Sequence, residues 1–412
     1  MRRRLLWCAL AAVAAGVLTA CAGQTSGPQT RQVLVDYVHD EVASSFLLYF
    51  PRDVTMRPGD SVLFRQEWTG EPHSVTMGTM VDEMMSVITP LIDKYGDEPE
   101  EKIPPRVFKQ FEKAMAPLPW MFGESDVLTV NQNAGQPCYL NKGGPPKKPN
   151  TPCDDAQQEQ PAFNGRQSYY NSGFIPYEGP QGNEFTVELA DDIEPGVYNY
   201  YCNLHGPFQA GTITVVEDGE PIPSQDEVSR QALREIEEAA TPLVAAYEEA
   251  PREGKAKIYG QTVEAPLAGW GVDDPGSHTS LNEFIPEVMS VKVDEPVEWT
   301  FVGGHTVSFE VPDYFAQVVV EDDGTVVFSK DATQPVNSPG PPEPEGGGEQ
   351  SGPQSGPPEP VVVDAGTFDG SQFTSSGVLW DGTRYRLKFS EPGSYPYACL
   401  IHPQMVGTVE VS

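Results

Sequence analysis

A stretch near the middle of the chain, PGVYNYYCNLHGPFQAGTITV (Pro195 to Val215), returns at its end as PGSYPYACLIHPQMVGTVEV (Pro392 to Val411). Both read Pro-Gly-x-Tyr-x-Tyr-x-Cys-x-x-His, then a short loop containing Pro, then Gly-Thr and alternating apolar residues. An internal repeat decides architecture before any local pattern does, because each copy must build the same unit. The repetition continues upstream. FNGRQSYYNSGF (Phe163 to Phe174) matches FDGSQFTSSGV (Phe368 to Val378), and the segment from Phe50 to Met77 parallels that from Ile285 to Phe309. Each half therefore has the same order: a strand, a turn, a strand ending near a His (His73 or His305), the Phe-Asx-Gly segment and the Cys-x-x-His hairpin.

Alternation at Val62, Phe64 and Gln66, and at Val297, Trp299 and Phe301, with Pro-Gly or Asp-Glu-Pro turns between runs, predicts strands. Many short strands of this kind imply β-sandwiches. Between the halves, Ser224 and Glu227 form a capping-box pattern ahead of Val228, Ala232, Ile236 and Ala239 at helical spacing, which predicts a helical linker kinked near Pro242. Each half also has an insertion between its His and its Cys. Residues 80 to 120 read as helical, with Met80, Met84, Ile88 and Leu91 on one face, whereas the Pro/Gly-rich run from Asn337 to Pro360 lacks the residues for a packed core and is expected to be disordered.

The two copies differ at one informative place. Met405 stands two residues before Gly407, whereas Gln209 stands two residues before Gly211, in a loop longer by one residue, Gly206. One thiolate, two imidazoles and a weak axial donor brought from separate strands make a type 1 copper site. The chain supplies that set twice: His73, Cys202, His205 and axial Gln209; then His305, Cys399, His402 and axial Met405. Alternation along Tyr198, Tyr200 and Cys202, and along Tyr395, Tyr397 and Cys399, aims both thiols at an aromatic, dry face. Two points stay open: the extra Gly206 could turn Gln209 away, and the ligands could be relics of decayed sites.

On these residues each half resembles the cupredoxin family of plastocyanin, pseudoazurin and amicyanin. The Cys-x-x-His-x-x-Met loop of the second half is similar to that of amicyanin, and Gln209 to the axial Gln of stellacyanin-like proteins. The resemblance implies an all-β fold of two Greek-key cupredoxin β-sandwiches joined by a helical linker, with a helical insertion in the first and one type 1 copper per domain. It implies that Ser74 and Thr306, each after the first His, tie the ligand loops together. It also implies that the exposed edges of His205 and His402 are the electron ports. The expected organisation is a signal peptide (1–20), a tether (21–31), a first domain (32–217, insertion about 80–160), a linker (218–254) and a second domain (255–412, insertion about 335–360).

The N-terminus, with Arg2, Arg3 and Arg4 before a short apolar run, reads as an export signal, and Leu18-Thr19-Ala20-Cys21 resembles a bacterial lipobox in which Cys21 is lipidated. The expected location is the outer face of the bacterial cytoplasmic membrane. Of six cysteines, Cys138 and Cys153 are then the two without a role. In an oxidising compartment they are expected to pair; a third metal site from them would lack a nearby His.

A formal net charge of −34 over 412 residues argues against nucleic-acid binding, since the phosphate backbone attracts basic surfaces. Multicopper oxidases need further histidines, and only His39 and His278 remain unassigned among six, with neither a His-x-His nor a Cys-His pair. The expectation is therefore a carrier of single electrons rather than an enzyme, working with redox partner proteins, those of a respiratory chain. The alternative is copper storage or delivery at the cell surface, supported only by the methionines from Met77 to Met85, whose spacing favours core packing.

Overall fold

The computed structural model describes residues 27–96, 98, 102–119, 130–148, 151–175, 182–272, 279–312, 315–340 and 361–412. The leader, Cys21, His278 and residues 341–360 of the Pro/Gly insertion lie outside them. Among the described residues no helix is long and apolar enough to cross a membrane.

In the first half two sheets face each other. One has the order Tyr49–Phe50, Thr30–Val35, Ser61–Gln66, Glu184–Glu188; the other Asp53–Met56, Gly206–Val215, Gly196–Cys202, His73–Met77, Tyr169–Ile175, Cys138–Leu140. Period-two burial explains the pairing: Val62, Phe64 and Gln66 point inward from one strand, and Ile213 and Val215 from the opposite sheet. The second half repeats the arrangement. Its site-bearing sheet runs Val288–Val291, Val406–Val411, Gly393–Ala398, Ser308–Phe309, Thr374–Ser375, the same sequence of repeat segments as in the first.

The insertion of the first half holds helices Thr79–Tyr95 and Pro105–Met115 and the strand Cys138–Leu140, which extends the site-bearing sheet. Val81, Met84, Met85 and Ile88 are buried from the first helix, while Leu91 is only half-buried, so the apolar face is rotated slightly from the expected one. Cys138 and Cys153 form a disulfide with Cα atoms 5.7 Å apart, as expected.

The linker helix, Gln225–Glu249, starts at the expected cap: the Glu227 amide donates to Ser224 Oγ, and the Ser224 amide to the Glu227 carboxylate at 2.8 Å. Val228, Ala232, Ile236, Ala240 and Leu243 are buried, and Ala239 is half-buried against the same core, so the apolar stripe is wider than the four expected positions. From Ala232 onward these residues share a core with Phe46 and Phe50 of the first half and Leu267, Trp270 and Ile285 of the second. The helix is thus a wedge between halves rather than a loose tether.

Candidate metal centres

His73 opens a wholly buried strand, and Cys202 closes the neighbouring one, where pairing shifts register between Tyr201 and Cys202. The shift places Cys202 opposite Gly206, whose φ of 71° suits a residue without a side chain. This turn carries His205 beside the thiol and returns Gln209 to the two imidazoles. Cys202, His73 and His205 offer donor atoms all within 4.8 Å of one another. Gln209 is fully buried, with Oε1 3.0 Å from His73 Nδ1 and 2.7 Å from His205 Nδ1. The extra glycine therefore leaves Gln209 facing the cluster.

The second cluster repeats the first. His305, Cys399 and His402 also lie within 4.8 Å, with the two Nδ1 atoms 3.0 Å apart and Cys399 Sγ 3.5 Å from His402 Nδ1. Met405 is fully buried in the same core, and its backbone closes the loop: the Cys399 amide donates to the Met405 carbonyl, and the Met405 amide to that of His402.

Ser74 and Thr306 do tie the loops. Each receives the amide following the Cys, Asn203 to Ser74 Oγ at 2.9 Å and Leu400 to Thr306 Oγ1 at 2.8 Å, while their own amides donate to the sulfurs at 3.4 and 3.3 Å. Donors aimed at sulfur favour thiolate. Burial pushes both thiols up, yet His205 and His73 hold Cys202, and His402 and His305 hold Cys399, well below the ordinary thiol range. Two buried thiolates, each facing two imidazole nitrogens, form a donor set suited to a soft, tightly held cation, and the residues fit copper.

Sequence reasoning missed what lies behind the rings. His73 Nε2 meets Asp36 Oδ2 at 3.2 Å, both wholly buried, and His305 Nε2 meets the Val302 carbonyl at 3.0 Å. Glu71 serves the remaining two, 3.7 Å from His205 Nε2 and 3.3 Å from His402 Nε2. Such partners fix the ring and leave Nδ1 for a metal. Burial lowers both imidazoles, but thiolate and Glu71 carry His205 up to about 10 and His402 up to about 9. A signal for Glu71 existed: the first copy reads Gly-Glu-Pro-His where the second reads Gly-Gly-His.

The expectation of exposed histidine edges is corrected. Side-chain exposure is 13% for His205 and 4% for His402, because the two sites face each other across the joint between halves. A cavity of about 120 Å³ there is lined by Glu71, Leu204, Asn282, His305, Ile401 and His402. His39 lies apart, accepting from the Glu41 amide at 3.2 Å. Met77, Met84 and Met85 are buried, so the methionine run packs cores.

No protein-family profile and no curated protein matches the chain. Solved structures similar to part of it include a reduced amicyanin variant (18% identity, 32% of this chain and 73% of that one, TM-score 0.17). A purple cupredoxin from Nitrosopumilus maritimus matches at 20% identity over 32% of this chain and 83% of that one, TM-score 0.16.

Proposed function

We propose that the chain is a two-site type 1 copper protein that carries single electrons, exported and anchored to the outer face of the membrane through Cys21. The observation that carries this reading is the pair of buried clusters of one thiol and two imidazoles, with Gln209 Oε1 against both rings of the first and Met405 buried in the core that holds Cys399. Copper held there would supply one-electron Cu(II)/Cu(I) chemistry. The residues do the rest: Asp36, Glu71 and the Val302 carbonyl hold the rings, amides of residues 74 and 306 hold the sulfurs, and aromatic cores keep water out. Rigid, dry ligands suit a carrier, which gains from a site that changes little between redox states. The storage or delivery reading called for exchangeable thioethers, and the buried methionines give it no support.

Metal analysis tests the proposal. The purified chain should bind two coppers and show an intense visible thiolate-to-copper band, and Cys399→Ser should remove the second site's share. A chain that binds no copper, or a spectrum indifferent to Cys399→Ser, would sink it.

A further inference from the structure

Glu71 sits on the loop that also carries His73 of the first site, yet its carboxylate reaches into the second. Oε1 accepts from His402 Nε2 at 3.3 Å, and Oε2 lies in ion-pair range of His205 Nε2, at 3.7 Å. The loop is braced within its own half and held against the other. The Glu71 carbonyl accepts from Gln66 Nε2 at 3.0 Å, and Gln404 Nε2 donates to the Trp68 carbonyl at 3.2 Å. At Gly70, φ 116°, any Cβ would overlap the Ile401 carbonyl and crowd the His402 ring. Holding a half-buried carboxylate, 23% exposed, between two histidines costs desolvation that an apolar contact would avoid, so packing alone does not account for it.

We infer that Glu71 is the link through which the two candidate sites exchange electrons, an inference that rests on the copper reading above. Each ring presents Nδ1 to its own site and Nε2 to the shared carboxylate. The route from one site to the other is therefore imidazole, carboxylate, imidazole, with one hydrogen bond and one ion-pair contact and no wider gap. One electron leaves the reduced site and enters the oxidised one; both Nε2 protons stay in place, and no other reactant is consumed. With both ring edges facing inward, the histidines serve each other rather than an outside partner.

The test uses the full chain loaded with copper and reduced by a short radiolytic pulse, the redistribution between sites being followed in the visible band. Glu71→Gln keeps the shape but cannot accept from both rings, and Glu71→Asp keeps the charge but withdraws it by one methylene. Each is expected to slow the inter-site step at least tenfold. A second readout needs no metal: in the apoprotein the His402 Nε2 proton should give a slowly exchanging magnetic-resonance signal that loses protection in Glu71→Asp, whose carboxylate no longer reaches the ring. Unchanged rates and an unchanged proton signal would overturn the link, as would loss of copper from both variants, which would make Glu71 a metal-retaining residue instead. Failure of the copper reading is distinct, because it appears in the unmodified chain as absence of the blue band and overturns both.

Discussion

Gln209 and Asp36 give the first site a different chemistry from the second. An amide oxygen is a harder donor than the Met405 thioether and favours Cu(II). Asp36 adds a buried negative charge behind His73, where the second site has only the Val302 carbonyl behind His305. With copper in both sites, as proposed above, both effects would favour the more positive metal and so lower the first potential. The expected difference is at least one tenfold step in equilibrium constant, about 59 mV for one electron, with electrons running from first site to second. Redox titration of Gln209→Met should raise the lower potential toward the higher with copper content unchanged; no movement would remove Gln209 from the axial position. Asp36→Asn should act in the same direction but at a folding cost. Asp36 Oδ2 accepts from Thr69 Oγ1 at 2.7 Å as well as facing His73, and an amide NH2 turned toward two donors leaves buried groups unmatched, about 1–3 kcal/mol.

The strand Ser280–Ile285 shows how elements join the halves. It pairs with Ser44–Ser45 of the first half, the Asn282 amide donates to the Ala43 carbonyl at 2.8 Å, and Glu283 Oε1 accepts from the Ala43 amide at 2.7 Å. Burial raises the Glu283 carboxyl to about 7, the Ala43 hydrogen bond opposing and Glu287 adding to the rise. A carboxyl raised in the folded state binds a proton that the unfolded chain has already released. The joint should therefore lose stability as pH rises from about 4.5 to about 7, and change little above. Denaturant titrations across that window test the sign. Glu283→Gln should flatten the slope, and a slope unaltered by the substitution would assign it to other groups. This pairing was not legible in the sequence, since Ala43 and Glu283 belong to segments with no common pattern. The clustered Cys and His residues were legible for the opposite reason: Cys, His and the candidate axial residue sit in one contiguous, repeated stretch, and His73 and His305 hold corresponding places in the two copies. Glu71 and His402 lie 331 residues apart, a contact that only the joining of halves creates.

At the scale of the whole molecule the halves exchange segments in both directions, which a repeat alone does not require. The first half lends Ser44–Ser45 to a sheet of the second. In return, the strands Val318–Val320 and Val326–Phe328 form a hairpin whose Val318, Val326 and Phe328 enter the first half's core. There Gln132 clamps Val326 on both sides, Nε2 donating to its carbonyl at 2.8 Å and Oε1 accepting its amide at 2.9 Å. Two repeats joined by a linker ordinarily form interfaces resembling transient ones and unfold separately. Crossed segments and a shared wedge helix leave the first half's core, and the core around the linker helix, incomplete without the other half. The expectation is one cooperative thermal transition, with the visible bands of both sites and the far-ultraviolet signal lost together. Phe328→Ala provides the sharper test, because it alters a residue of the second half that packs in the first. Removing a largely buried Phe costs about 3–5 kcal/mol, and in a coupled molecule that loss should lower the transition of both sites equally. If the first site's band melts early while the second keeps its midpoint, the halves are independent, and the face-to-face geometry that seats Glu71 between His205 and His402 does not persist through heating.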